Sequence, residues 1–182
     1  FTSGYAFQIS DNNVYYKSWD AGRGDHSRLL PNVDLETFKV LTKSREKAYA
    51  KDKQKVYYFG RVVENADAKS FEILKPQKNG RVSYPDYARD KKHGIYQGAI
   101  IEESDGASFI WLGASYAKDQ SSVFARGQKM EDVDYSSFEY LGGIYAKDSF
   151  SVYTDYRKIE DADPKSFRVK DDNSATDAHQ SW

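Results

Sequence analysis

Cysteine is absent from all 182 residues, which removes thiol catalysis, disulfides and cysteine-based metal sites together. No apolar run approaches the ~18 residues that a membrane-spanning helix needs. Neither sign of charge dominates: 27 Lys and Arg are interspersed with 28 Asp and Glu, for a formal net charge of -1. Without a global basic field to draw in a polyanion, nucleic acid is not expected as a partner. Histidine is scarce, and His26, His93 and His179 each lie outside any catalytic motif. Gly-x-Ser-x-Gly, His-Glu-x-x-His and phosphate-cradling glycine loops are missing too, so nucleophilic, zinc and nucleotide chemistry lack their usual residues. A glycosidase-like carboxylate pair could be assembled from many acids, and none is singled out. No catalytic residue, metal or cofactor is therefore expected.

What is abundant is aromatic: 15 Tyr and 10 Phe within a 39% hydrophobic chain, a bias that favours half-buried strands over helices. The strongest signal is an internal repeat. Asp-x-x-Ser/Thr-Phe occurs five times, with its Asp and Phe at Asp34 and Phe38, Asp67 and Phe71, Asp105 and Phe109, Asp134 and Phe138, and Asp163 and Phe167. Successive Phe residues lie 33, 38, 29 and 29 positions apart. A second motif, Tyr-Ala-Lys/Arg-Asp, ends at Asp52, Asp90, Asp119 and Asp148, each 19 positions before the Phe of its copy. A constant interval means a constant fold for that segment, and Gly60, Gly98 and Gly127 share one register within it, with Tyr156 in the last copy. The copies span about 5–41, 49–74, 87–112, 116–141 and 145–169, and 170–182 reads as a polar C-terminal tail.

Each copy predicts a short strand at Tyr-Ala-Lys-Asp, a polar turn, a second strand such as Val56-Tyr57-Tyr58, a glycine turn and a third strand. Asp-x-x-Ser-Phe predicts a single helical turn with Asp as N-cap and Phe as core anchor. Pro164 stands where such a turn tolerates it. The expected fold is mainly β: tandem antiparallel meanders, each closed by a helical turn, in one stacked, open array, because a unit this small cannot bury its apolar face alone. In the first copy Asp11-Asn12-Asn13-Val14-Tyr15-Tyr16 takes the place of the opening motif, with an insertion at 17–30. A second expansion covers 75–86, and both have loop compositions.

Tyr49-Ala50-Lys51-Asp52-Lys53-Gln54-Lys55-Val56-Tyr57-Tyr58, followed by Gly60 and Asp67-Ala68-Lys69-Ser70-Phe71, resembles the DKNYY repeat family of bacterial proteins. The similarity runs from Tyr49 to Val169, with a degenerate copy reaching back to about Asp11. Gln54 stands at the Asn of the family's name, and the third copy has drifted to Lys91-Lys92-His93-Gly94-Ile95-Tyr96. Membership implies a bacterial, often exported or lipoprotein-like protein, and no catalytic residues to carry over. A chain opening on Phe1 carries the same expectation of an upstream signal peptide or lipid anchor, hence the periplasm, cell surface or medium.

For function, the departures from the repeat draw attention, since loops on a rigid scaffold are free to bind. Trp19, Arg23, Asp25 and His26 in the first expansion and Tyr84 in the second are the candidate binding residues. Arg23-Gly24-Asp25 also has the form of an adhesion tripeptide. The expected role is a non-catalytic protein-binding module of the bacterial envelope, with an inhibitor or immunity protein as its sharper form. The alternative is a glycan-binding or surface-adhesion module stacking sugars on Trp19, Trp111 and a tyrosine-rich face. Two plainer expectations stand beside these. The recurrent Asp of the opening motif accepts backbone bonds in its own turn rather than lining up for a hard cation. Tyr15, Tyr57, Tyr96 and Tyr153 pack between repeats with their hydroxyls outward.

Overall fold

The computed structural model describes residues 6–20, 22, 24–42, 49–77, 86–155 and 157–182. Among these there is no helix, only six small antiparallel sheets in tandem. The first holds β1 (Ala6–Ser10), β2 (Asn13–Asp20) and β3 (Gly24–Leu30). The second holds β4 (Lys39–Val40), β5 (Tyr49–Lys51), β6 (Val56–Tyr58) and β7 (Arg61–Val62). The third holds β8 (Glu72–Ile73), β9 (Tyr87–Arg89), β10 (Gly94–Tyr96) and β11 (Ala99–Ile100). The fourth holds β12 (Ile110–Gly113), β13 (Tyr116–Lys118), β14 (Val123–Ala125) and β15 (Gln128–Lys129), and the fifth β16 (Glu139–Gly142), β17 (Tyr145–Lys147), β18 (Val152–Thr154) and β19 (Arg157–Ile159). The sixth pairs β20 (Arg168–Asp171) with β21 (Ser174–Thr176).

Each middle sheet is therefore a four-stranded meander rather than the expected three-stranded one. Its first strand comes from the residues just after the repeat Phe, so the sheets are offset from the sequence copies by one strand. The single helical turn expected at the same place is not assigned as a helix. Asp-x-x-Ser-Phe is a single hydrogen-bonded turn, closed where Phe71 N–H donates to Asp67 O at 3.0 Å and Phe167 N–H to Asp163 O at 3.0 Å. The chain then goes straight into a strand, because the residues after Phe alternate in the strand period, as in Phe138-Glu139-Tyr140 and Phe167-Arg168-Val169-Lys170, whereas a helix needs its apolar residues at three- and four-residue spacing.

The sheets are so narrow that burial comes from stacking. Alternate residues of one strand point to opposite neighbours: Ala50 and Tyr57 pack with Phe7, Val14, Tyr16 and Leu30 of the first sheet, while Tyr49 and Val56 pack toward Ala88 and Ile95 of the third. The same division recurs along the chain, giving five apolar clusters between six consecutive sheets. No cluster of described residues joins the first sheet to the sixth.

Two segments correct the sequence reading. Residues 17–30, expected as a loop, extend β2 and β3 into the longest hairpin among the described residues, with Lys17 opposite Ser27 and Trp19 opposite Asp25. Residues 170–182, expected as a polar tail, carry β21. There Ala175 is buried, and the backbone of Trp182 exchanges hydrogen bonds with Ala175 at 2.8 and 3.0 Å.

Candidate binding surface

The recurrent acids are spent inside the array. From the second copy to the fifth the opening-motif Asp is buried and receives, on one oxygen, the N–H groups two and three residues on. For Asp52 these are Gln54 and Lys55, both at 2.7 Å, and the pattern repeats at Asp90, Asp119, Asp148 and Asp177. The other oxygen accepts from the preceding turn. Asp34 N–H donates to Asp52 at 3.1 Å, Asp67 to Asp90 at 2.8 Å, Asp105 to Asp119 at 2.8 Å, Asp134 to Asp148 at 3.0 Å and Asp163 to Asp177 at 3.0 Å. The reciprocal bond runs from the residue after that Asp to the Ser or Thr hydroxyl of the turn, as Lys53 N–H to Thr37 Oγ1 and Lys91 N–H to Ser70 Oγ, both at 3.0 Å. Five junctions of this kind tie six sheets in series.

Aromatic hydroxyls close the same junctions. Tyr57 and Tyr153 donate to Asp52 and Asp148 at 3.0 and 2.7 Å, and Trp182 Nε1 donates to Asp177 at 3.1 Å. This reverses the expectation that these tyrosines turn their hydroxyls outward. Tyr96 and Tyr58 are half-buried and lie over the turn glycine of the next sheet, where a Cβ on Gly98 would come within 2.5 Å of the Tyr58 ring.

Burial raises the pKa of Asp52, Asp90 and Asp148, but the converging donors, the Tyr153 hydroxyl foremost at Asp148 and backbone N–H groups foremost at Asp52 and Asp90, outweigh it and hold each below the ordinary carboxylate range. Asp34 is held at about 2, chiefly by its bonds to the Lys53 ammonium and the Thr37 hydroxyl. Groups depressed in the folded state add stability that is complete above the unfolded value near ~4 and is lost as pH falls through the folded ones. The urea midpoint is thus expected to be insensitive to these groups between pH 5 and 8 and to drop between about pH 4 and 2. A midpoint at pH 2.5 equal to that at pH 6 would remove the carboxylates from this role.

The first sheet is different. Register places Phe7 opposite Tyr16 as Tyr49 lies opposite Tyr58, so Ser10, not Asp11, occupies the place of Asp52. Ser18, inside long β2, occupies the place of Gly60, where a Cβ would lie 2.3 Å from Tyr16 Cβ of the first sheet. The acceptor carboxylate of every later sheet and the glycine recess of the second, third and fourth are thus both replaced by serine.

Its outward face carries Gln8, Tyr15, Lys17, Trp19, Asp25, Ser27 and Leu29, since cross-strand partners share a face and Phe7, Val14, Tyr16 and Leu30 point to the second sheet. Trp19 and Leu29 are each 48% exposed. The structure thus brings Trp19 and Asp25 side by side and sets exposed His26 opposite Ser18 on the other face of the hairpin. Arg23 and Tyr84 lie outside the described residues, so the adhesion tripeptide is described only at Gly24 and Asp25, which open β3. Trp111, grouped with Trp19 for sugar stacking, is 2% exposed with its Nε1 donating to Ala114 O at 2.9 Å, so it serves the core. Tyr15 and Leu29 were missed alongside Trp19, although the four-residue steps from Tyr15 to Trp19 and from Asp25 to Leu29 are even intervals that keep them on one face of alternating strands.

No curated protein and no solved structure matches this chain. Over residues 2–61 and 49–180 it matches the model of the DKNYY family, and the chain belongs to that family.

Proposed function

We propose that this chain is a non-catalytic protein-binding repeat module of the bacterial cell envelope, acting as an inhibitor or immunity protein, with the first sheet as its binding end. The observation that carries the reading is the outward face of that sheet. Inner sheets are covered on both sides, whereas this one exposes Trp19 and Leu29, with half-buried Tyr15, beside Lys17 and Asp25 on one hairpin. Exposed Trp and Tyr on a rigid support supply large contact area with few rotamers to immobilise, the makeup of interface anchors. The described polar residues of the repeat motifs are meanwhile engaged in the junctions. The envelope location draws support from the family's bacterial, exported character.

The test is capture from envelope and secreted fractions with the native chain and Trp19→Ala. One stoichiometric protein is expected, with affinity for the variant reduced at least ~10-fold. Phe150→Ala, at a 77% exposed site in the fifth copy, should retain it. Equal capture by both variants would remove the first sheet from the interface. A glycan-binding reading draws on the same exposed Trp19 ring, and glycan-array signal lost in Trp19→Ala with no protein captured would favour it.

A further inference from the structure

We infer that the first sheet captures an extended segment of its protein partner as an added strand, paired antiparallel along the open edge of β1. The inference rests on the reading of that sheet as the binding end, and it names the form in which the partner is held.

The five later sheets show what belongs at this edge. Each begins with a strand, β4, β8, β12, β16 or β20, that pairs antiparallel with the strand leading into the junction Asp. β1 is the equivalent of that second strand, and among the described residues it pairs with β2 alone. Tyr49 shows how the edge is used, its C=O accepting Leu41 N–H at 2.9 Å. Phe7 holds the place of Tyr49 and Ile9 that of Lys51. Both therefore turn N–H and C=O to the open side, and such a row is a template for another strand.

The first strands also bring a leucine. Leu41, Leu74, Leu112 and Leu141 pack into the clusters that hold Phe71, Phe109, Phe138 and Phe167, and those four Phe are buried. The cluster of Phe38 receives no leucine from a first strand, and of the five repeat Phe it alone is left half-buried. Where Lys51 and Arg89 donate to carbonyls of the following turn, Ile9 has no charge to offer and stands 59% exposed. An apolar cross-strand neighbour suits it instead. The edge thus fits an extended segment with an apolar residue opposite Ile9 and, two residues on, a leucine opposite Phe7 that completes the cover of Phe38.

A fluorescein-labelled peptide of residues 68–75 with Glu72→Ile carries this pattern, with Leu74 as its leucine. Anisotropy titration against the full chain should give a dissociation constant of roughly 100 µM, in keeping with so short a contact. Adding Leu74→Lys to the peptide should weaken binding at least ~10-fold. Ile9→Pro in the chain should do the same, because the ring removes a donor on the open side and leaves the β1–β2 hydrogen bonds intact, the setting in which edge strands accept proline. Phe150→Ala should bind as wild type. Bound peptide should also slow amide exchange at Phe7 and Ile9 at least ~10-fold, a readout that with the Leu74→Lys peptide decides the case even if circular dichroism shows Ile9→Pro misfolded. No binding up to about 1 mM, equal binding of the two peptides, a folded Ile9→Pro that binds as wild type, or binding without slowed exchange at Phe7 and Ile9 would each overturn strand capture. A chain that ignores the peptide yet loses its envelope protein on Trp19→Ala would overturn strand capture and leave the protein-binding reading standing. A chain that holds the peptide along Phe7 and Ile9 but captures no envelope protein would do the reverse.

Discussion

Phe109→Ala should destabilise the chain by about 3–5 kcal/mol, the range for emptying a fully buried phenylalanine site. Phe109 is 0% exposed, with ring centroids 5.8 Å from Tyr87 and 5.5 Å from Phe124. It fills the space above Gly94, where even a Cβ would approach its ring to 2.4 Å. Its neighbours come from both the third and the fourth sheet, so the cavity opens in the joint between them, and neither sheet can close it without shifting against its other neighbour. The first repeat offers the contrast. Phe38 is only half-buried beside Phe7 and Tyr57, so Phe38→Ala should cost distinctly less. Urea denaturation of both variants checks the order, and a Phe109→Ala chain as stable as wild type would sink the anchoring role of the repeat Phe.

Phe109 also shows how much of the fold was legible. The motif Asp and Phe stand at fixed intervals, and each sits where the repeat reading put it, the Asp in a turn and the Phe in or against the core. The sheet boundary was not legible, because nothing in one copy says that the two to four residues after Phe pair forward with the next opening motif. The fifth junction was legible and overlooked. Asp163 to Asp177 spans 14 positions, as do Asp105 to Asp119 and Asp134 to Asp148, but the surrounding 170–182 is so polar that composition outweighed spacing. The first copy erred in the opposite direction, by trusting a residue type. Asp11 looked like the motif Asp, yet Val14-Tyr15-Tyr16 lies 42 positions before Val56-Tyr57-Tyr58, and that offset assigns the place to Ser10. The proposed binding face was half legible: Trp19 and Asp25 stood out as departures from the repeat. Their union with Tyr15 and Leu29 required knowing that 17–30 is a hairpin rather than a loop.

Asp148→Ala should separate the array at one joint. Its carboxylate receives four donors: Phe150 and Ser151 N–H at 2.8 and 2.7 Å, Asp134 N–H at 3.0 Å from the preceding turn, and the Tyr153 hydroxyl at 2.7 Å. Alanine leaves the three N–H groups without their acceptor, while the Tyr153 hydroxyl keeps only Asp132 O at 3.5 Å, and a buried donor stranded in this way costs about 1–3 kcal/mol. Water admitted to the gap recovers part of this, so a net loss of roughly 3 kcal/mol or more is expected. Tyr153→Phe removes one donor and leaves the carboxylate its three N–H groups, so its cost should stay near ~1 kcal/mol. The comparison isolates the carboxylate from the ring that covers it. Because stability in a stacked array is shared between neighbours, weakening the joint between the fourth and fifth sheets should do more than lower a midpoint. Residues from about 139 onward should unfold ahead of the rest, splitting the urea transition in two, with amide exchange accelerated in β16 to β21 before β8 to β11. A single transition shifted as a whole would mean that the sheets are coupled mainly through their apolar faces, with the aspartate junctions setting register rather than cohesion.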